Sequence, residues 1–165
     1  MNKLTTKEIK ERLRNAAELS PGEVIELMAM LHKQPVWLPQ NEIENMLKKT
    51  AQERYVYSVK RIAEQELAWT LQENKTMVFT KDEDGNTFFP IWPYKEYALK
   101  CKTDEWEKCT LMKLPLDTLI NETLSNFSKT GIKISVFIVP NELMSTTASA
   151  EDFLNNLLYE CSKYE

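Results

Sequence analysis

The spacing of apolar residues predicts helices over the first 66 residues and mostly short strands, with helices between them, in the rest of the chain. Three helical segments are expected in the first part, over Thr5–Leu19, from Pro21 to about Pro35, and from Asn41 to about Glu66. Ser20 and Glu23 form a capping-box pattern at the start of the second segment. The third segment is expected to be one long or bent helix, and a break near Thr50 stays open. The proline-bracketed stretch Gln34–Pro39 is predicted to be an extended linker.

Short segments rich in aromatic and β-branched residues predict strands in the second part of the chain. They are Leu67–Leu71, Thr76–Thr80, Thr87–Ile91, Thr110–Leu114 and Ile132–Val139. The last of them is wholly apolar towards its end, so we place it centrally in the sheet. Asp82–Asn86 has the residues of a hairpin turn, and its glycine comes too early for a calcium-binding EF-hand loop. Further helices are expected from Pro93, over Leu116–Ser128 with Gly131 as the C-terminal cap, and after Ser145–Ser149.

Together these elements predict an α+β fold, with a small mixed or mostly antiparallel sheet flanked by helices and an N-terminal all-helical segment. A chain of 165 residues is long enough to bury a substantial core. We assign residues 1–50 to a helical N-terminal extension and residues 51–165 to the α+β domain.

The chain is acidic, with a net charge of -4 at pH 7. The imbalance lies in residues 67–165, which hold 10 Lys or Arg against 15 Asp or Glu. Because a nucleic-acid backbone attracts clustered Lys and Arg, this balance argues against nucleic acid and favours a basic or neutral protein partner. No apolar run approaches the roughly 18 residues that cross a bilayer, and the N-terminus lacks the apolar core of a signal peptide. We therefore expect a cytoplasmic protein that does not bind membranes, of undetermined oligomeric state.

Residue types that could form a reactive centre are few. His32, the single histidine, stands at the end of the second predicted helix with no partner at motif spacing, a position that suits helix stabilisation better than catalysis. Cys101, Cys109 and Cys161 follow neither zinc-binding nor redox-motif spacing, so reduced thiols are expected, although a pair between Cys101 and Cys109 stays open. We therefore predict no catalytic residue, no metal site and no cofactor.

The segment Phe88–Tyr97 concentrates five aromatic residues and two prolines. Rings that carry a polar tip are common both in protein cores and at the centres of protein interfaces. We expect most of the aromatic residues to lie in the core, with Trp92 and Tyr94 the best candidates for a concave surface. The candidate binding residues are Trp92, Tyr94, Tyr97 and Trp106.

A series of motifs carries a family resemblance. In chain order they are Arg54-Tyr55-x-Tyr57-x-Val59-Lys60-x-Ile62-Ala63, Trp69-x-Leu71, Pro90-Ile91-Trp92-Pro93 with Tyr97-Ala98, Trp106, Leu116-x-x-Leu119, and Gly131-Ile132-x-Ile134-x-Val136-Phe137. Their order and spacing resemble the bacterial family known as domain of unknown function 2750, over residues 52–160. The resemblance implies a small cytosolic α+β domain and brings no established activity, so no functional residue is transferred. The first 50 residues look like an addition to the usual core of the family, and the turn after Phe79 is unusually acidic.

Three hypotheses of function follow. The first is a non-catalytic protein-binding module, in one form an immunity-like protein that neutralises a basic toxin through electrostatic complementarity. The second is a small enzyme that uses carboxylates and a Tyr hydroxyl in a pocket near Trp92, which requires two carboxylates within catalytic reach. Asp104, Glu105 and Glu107 surround Trp106, but such residues more often form a surface turn that anchors the ring. The third is a structural or oligomer-forming role for the N-terminal helices.

Overall fold

The computed structural model describes residues 4–33, 38–140 and 145–164, with the side chains of residues 16, 29, 32 and 33 outside that description. The chain divides into two compact units, Met1–Trp37 and Leu38–Glu165. A helix that begins at Gln40, which we assigned to the N-terminal extension, is grouped with the second unit. Our boundary after residue 50 stays a prediction. The side chain of His32 and most of the predicted linker lie outside the described residues.

The described part of the first unit consists of α1 (Thr6–Arg14), a 3₁₀ turn (Ala16–Glu18) and α2 (Pro21–Lys33). Helices α1 and α2 pack against each other. The Thr5 hydroxyl accepts the Glu8 N–H at 3.2 Å, and the Glu8 carboxylate accepts the Thr5 N–H at 2.6 Å. Ser20 and Glu23 form the same reciprocal pair at the start of α2. The two helices and the capping box at Ser20 are confirmed.

The described helices of the second unit are α3 (Gln40–Leu47), α4 (Ala51–Gln65), α5 (Lys95–Lys100), α6 (Leu116–Thr118), α7 (Leu124–Thr130) and α8 (Ala150–Ser162). A π-helical segment, Leu119–Thr123, joins α6 to α7. Gly131 ends α7 at φ 74°, in the left-handed conformation that favours glycine, as predicted. The expectation of one helix over Asn41–Glu66 was wrong. Thr50 starts a new helix there, because its hydroxyl accepts the Glu53 N–H at 3.2 Å in a capping box.

The described strands are β1 (Leu67–Glu73), β2 (Thr76–Met77), β3 (Thr80–Lys81), β4 (Thr87–Ile91), β5 (Thr110–Pro115), β6 (Lys133–Val136) and β7 (Thr146–Ser149). One antiparallel sheet has the order β2-β1-β5, and the other has the order β3-β4-β6-β7. Strands β4 and β6 are parallel, whereas the other neighbours are antiparallel. The predicted α+β class and the interior position of β6 are confirmed, and β7 is a strand that the polar sequence did not indicate.

Two tryptophans join the two sheets. The N–H groups of Trp69 and Trp92 each donate to the carbonyl of the other, both at 2.8 Å. Beside this bridge, the Thr70 hydroxyl donates to the Pro90 carbonyl at 2.6 Å. Pro90 has no N–H to donate, so the contact uses the only backbone hydrogen-bonding group that this residue has. The end of β4 is thereby fixed along the start of β1.

The hairpin turn predicted at Asp82–Asn86 connects β3 to β4. The Asp82 carboxylate accepts the backbone N–H of Asn86 at 2.8 Å and its side-chain amide at 2.9 Å. Gly85 has φ 83°, a conformation that a residue with a Cβ adopts only with strain. The turn is therefore held by its own polar side chains, and the prediction is confirmed.

Phe137 and Ile138, directly after β6, connect α4, α5 and the end of β4. The Phe137 N–H donates to the Ile91 carbonyl at 2.9 Å. The Ile138 carbonyl accepts the indole N–H of Trp92 at 2.9 Å and the thiol of Cys101 at 3.2 Å. Phe137 has φ 55°, an uncommon conformation for a residue other than glycine, and these bonds on both sides of it hold it there.

Arg54 is a completely buried charged residue at the centre of this arrangement. Its Nε donates to the Phe137 carbonyl at 3.2 Å, and its Nη1 donates to the Lys49 carbonyl at 2.6 Å. The guanidinium carbon lies 5.8 Å from the centroid of the Phe137 ring. A buried guanidinium is stable only where acceptors replace its lost water, so α4 and the segment after β6 must keep these positions together.

Helix α8 covers another face of α4. Phe153 and Leu157 of α8 have no exposed surface. The rings of Tyr55 and Phe153 meet edge to face with centroids 6.2 Å apart. The side-chain amide of Asn156 donates to the Tyr55 hydroxyl at 2.6 Å. These contacts place α8 in the main core although it lies about a hundred residues after α4.

Two further findings concern thiols and membranes. Cys101 and Cys109 are buried free thiols, so the disulfide left open between them does not form. Among the described helices, none combines the length and the apolar character needed to cross a bilayer.

We expect Arg54→Met to lower the free energy of unfolding by about 2–4 kcal/mol, because it leaves buried carbonyl acceptors without a donor. Urea unfolding followed by circular dichroism measures the change. Arg61→Met is the matched control on the same helix. The Arg61 side chain is 38% exposed, so its loss should cost less than about 1 kcal/mol. Equal losses in the two variants would show that the burial of Arg54 contributes nothing specific.

Candidate functional site

The candidate site is a groove of about 360 Å³ where the β1–β2 hairpin meets the 3₁₀ turn Asp104–Trp106. Its lining residues are Glu73, Thr76, Met77, Val78, Phe79, Glu105 and Trp106. We call it the acidic groove, because both of its ionisable side chains are carboxylates. Trp106 is the predicted binding residue that lines it directly.

The β1–β2 hairpin positions one wall of the acidic groove. Glu73 is the last residue of β1 and pairs with Thr76 of β2. Asn74 and Lys75 form the tight connection with φ 50° and 65°, the left-handed values that such a turn requires. The Val78 N–H donates to the Leu71 carbonyl at 3.2 Å, so the chain continues along β1 beyond β2. This backbone holds Met77 and Val78 half-buried beside the exposed Glu73.

Phe79 extends the apolar floor of the groove. Its ring is 39% exposed, yet it packs against the rings of Phe89 and Phe127 with centroids 5.7 Å and 5.8 Å away. A ring held on one side by the core and open on the other is preorganised for contact, since binding does not have to immobilise it.

Trp92 supports the opposite wall from below. It is completely buried, and its ring meets the ring of Trp106 edge to face at a centroid distance of 6.0 Å. The Cys109 N–H donates to the Trp106 carbonyl at 3.0 Å, which fixes the backbone after the 3₁₀ turn. Trp106 is half-buried and Glu105 is exposed. Trp92 thus acts through Trp106, because it has no surface of its own to offer a partner.

The other two predicted binding residues lie in a separate cluster between α3, α4 and α5. Tyr94 and Tyr97 are buried, and both rings contact the ring of Tyr57, at centroid distances of 6.3 Å and 6.1 Å. The Tyr57 hydroxyl donates to the Glu42 carboxylate at 2.9 Å and lies 3.0 Å from the Tyr97 hydroxyl. Because the Tyr57 hydroxyl has a single hydrogen and donates it to Glu42, the Tyr97 hydroxyl is the donor in the hydrogen bond between the two tyrosines.

Arg61 completes this cluster from its edge. Its guanidinium lies 3.3 Å from the Glu42 carboxylate and 5.5 Å from the centroid of the Tyr57 ring. Burial raises the pKa of Tyr57, and its hydrogen bond to the Glu42 carboxylate raises it further. Burial also raises the pKa of Tyr97 to about 12. Both hydroxyls are therefore protonated at neutral pH and tie three helices together.

The thiols near the acidic groove are also kept protonated. Burial raises the pKa of Cys109, and the charge of Glu73 adds to this effect. Burial raises the pKa of Cys101 to about 11. A thiol with a raised pKa is a poor nucleophile at neutral pH. Within the described residues, no three or more His, Cys, Asp or Glu side chains are arranged to hold a metal ion.

Sequence reasoning found Trp106 and missed most of its neighbours in the groove. Glu73, Met77 and Phe79 are distant from Trp106 in the chain, and the sheet brings them beside it. One signal was present close to Phe79, since the turn that follows it is unusually acidic. Glu105 was weighed with Asp104 and Glu107 as a possible acid–base pair and was favoured as part of a surface turn beside Trp106, and the structure places Glu105 and Trp106 together in the groove.

Comparison with known proteins gives one match. A family model described as "Protein of unknown function (DUF2750)" matches residues 55–157, which lie within the segment 52–160 over which the sequence motifs indicated a resemblance. No curated protein and no solved structure matches the chain.

We expect the free energy of unfolding to fall as the pH rises above 10, because Tyr97 has a native pKa of about 12 against an ordinary value of 10. A group whose pKa is higher in the native state than in the unfolded state stabilises the native protein while it is protonated. This contribution is complete at pH values below the unfolded pKa and is lost as the pH rises through the native pKa. The loss is at most about 1.4 kcal/mol per pH unit for each such group.

Tyr97→Phe should make this slope shallower, as measured by urea unfolding at several pH values around and above the ordinary tyrosine pKa. Tyr159→Phe is the control for the loss of an exposed hydroxyl, since Tyr159 is 67% exposed, and the slope of Tyr97→Phe should be the shallower of the two. A slope unaffected by Tyr97→Phe would contradict the assignment.

Proposed function

The chain belongs to the family described as "Protein of unknown function (DUF2750)", and on that premise we propose that it is a non-catalytic protein-binding module whose partner is a basic protein. The acidic groove is the binding surface in this proposal. The interaction takes place in the bacterial cytoplasm, and neutralisation of a basic toxin is one form that it takes.

The single observation that carries the proposal is the composition of the acidic groove. Two exposed carboxylates, Glu73 and Glu105, border a floor formed by Met77, Phe79 and Trp106. A Lys or Arg side chain fits such a surface in two ways, because its aliphatic part packs on the apolar floor and its charge pairs with the carboxylates. The Trp106 ring adds a further contact for a cation.

The wider charge distribution supports the same class of partner. Residues 67–165 hold 10 Lys or Arg against 15 Asp or Glu, and the exposed turn Asp82–Asp84 is entirely acidic. A field of one sign over a surface raises the association rate of a partner of opposite sign. The acidic turn therefore assists the encounter, and the groove provides the specific contacts.

Binding accounts for the groove better than catalysis does. The described residues that line it include neither histidine nor cysteine, and burial raises the pKa values of the thiols of Cys101 and Cys109. The tyrosine hydroxyls that an enzyme near Trp92 would use are bonded to each other and to Glu42 in the separate cluster. A protonated tyrosine in such a network is not available as a base at neutral pH.

The test is capture of a partner from native bacterial cytosol by the immobilised full chain, compared with the double variant Glu73→Lys and Glu105→Lys. We expect a basic protein in stoichiometric amount on the unaltered chain. Its recovery should fall at least about tenfold on the double variant, because like charges then face each other. Higher salt should also release it.

The matched control is Glu122→Lys with Glu151→Lys, which changes the net charge equally at exposed positions outside the groove. This variant should retain the partner. A partner lost equally from both double variants would reflect net charge alone, and either that result or the absence of any stoichiometric partner rejects the proposal.

A further inference from the structure

A second groove, of about 440 Å³, lies along α3 and α4, and its cationic rim gives it a charge opposite to that of the acidic groove. Its lining residues are Met46, Lys49, Gln52, Glu53, Val56, Tyr57 and Lys60. We propose that this lysine groove binds an acidic amphipathic helix of a partner protein. It shares no lining residue with the acidic groove, so the inference does not depend on the function proposed above.

The floor of the lysine groove is apolar. Val56 is 42% exposed on α4, whereas its neighbours Tyr55 and Val59 are buried in the core. Met46 of α3 and the ring of Tyr57 lie beside it, both half-buried. A single exposed valine would need no explanation, but a concave surface that groups it with two more apolar side chains matches the kind of groove that receives a helix.

Tyr57 gives this floor a fixed shape. Its hydroxyl is bonded to Glu42 and Tyr97, and its ring contacts the ring of Phe137 at a centroid distance of 6.1 Å. The ring therefore cannot turn away when a ligand approaches. A floor that keeps one conformation reduces the entropy that binding must overcome.

The ionisable rim determines the sign of the ligand. Lys49, just before the N-cap Thr50 of α4, and Lys60, on α4 itself, are both exposed, and the helical part between them, from Ala51 to Lys60, is roughly 14 Å long. Glu53 also lines the groove, but its carboxylate accepts the N–H and the hydroxyl of Thr50 at the N-terminus of α4. These hydrogen bonds lower the pKa of Glu53 and direct its charge towards the helix end.

The combination of rim and floor selects one class of ligand. An apolar floor does not suit a phosphate backbone, which binds polar and cationic surfaces. A helix with an apolar stripe and carboxylates beyond each end of that stripe satisfies both the floor and the two lysines.

The probe for the test is a designed helical peptide of about 18 residues with leucines along one face in its middle part and glutamates beyond each end of that leucine stripe. The control peptide has the same sequence with lysines in place of the glutamates. Fluorescence anisotropy with the full chain should give at least about tenfold tighter binding for the acidic peptide than for the basic one. Val56→Asp should abolish the binding of the acidic peptide, and Lys60→Glu should weaken it about fivefold or more.

Lys129→Glu is the matched control, because Lys129 is also exposed but lies on α7 outside the groove. It should leave binding unchanged, and circular dichroism should show that all three variants keep the helical content of the unaltered chain. Equal binding of both peptides, no binding of either, or binding that survives Val56→Asp overturns the proposal. Light scattering that shows a dimer dissolved by Val56→Asp would also overturn it, because the occupant would then be a second copy.

Discussion

The burial of the Arg54 guanidinium is the constraint on which the architecture of the second unit depends. A buried cation needs acceptors in fixed positions, and two of them are the carbonyls of Lys49 and Phe137. Phe137 can present its carbonyl only because its N–H is bonded to Ile91 and its backbone takes a left-handed conformation. The next carbonyl then receives Trp92, which supports Trp106 in the acidic groove. The buried Arg54 guanidinium and the Trp106 side of the acidic groove are thus connected through two consecutive residues, Phe137 and Ile138.

Local signals predicted most of the elements, whereas pairing over long distances was not accessible from the sequence. The capping box at Ser20, the turn at Asp82–Asn86 and the glycine cap at Gly131 act within a few residues, so their residue types identify them. The box at Thr50 has the same form and a break near it was left open, but the helical spacing of apolar residues before and after Thr50 favoured one long or bent helix. Strand β7 was missed because its Thr and Ser residues form a strand only beside the apolar β6.

The candidate site was predicted less well than the fold, for a physical reason. Aromatic residues suit a protein core and a protein interface equally well. The residue type alone therefore does not tell how deeply an aromatic side chain is buried. Trp92 and Tyr97 are almost completely buried, whereas Trp106, which lies in the same part of the sequence, reaches the surface. Other residues that line the acidic groove, such as Glu73, belong to no motif that would mark them in the sequence. They become relevant only through the sheet that places them opposite Glu105.

The packing of α8 on α4 has a consequence for biosynthesis. The Asn156 and Tyr55 side chains that join the two helices are 101 residues apart in the chain. At a translation rate of about 5–20 residues per second, α4 leaves the ribosome roughly 5–20 s before its covering helix exists. During that interval the apolar face of α4 that will contact Phe153 is exposed to the cytosol or covered by a chaperone. The nascent chain therefore completes its core late, and substitutions on this face act on the yield of folded protein as well as on its final stability.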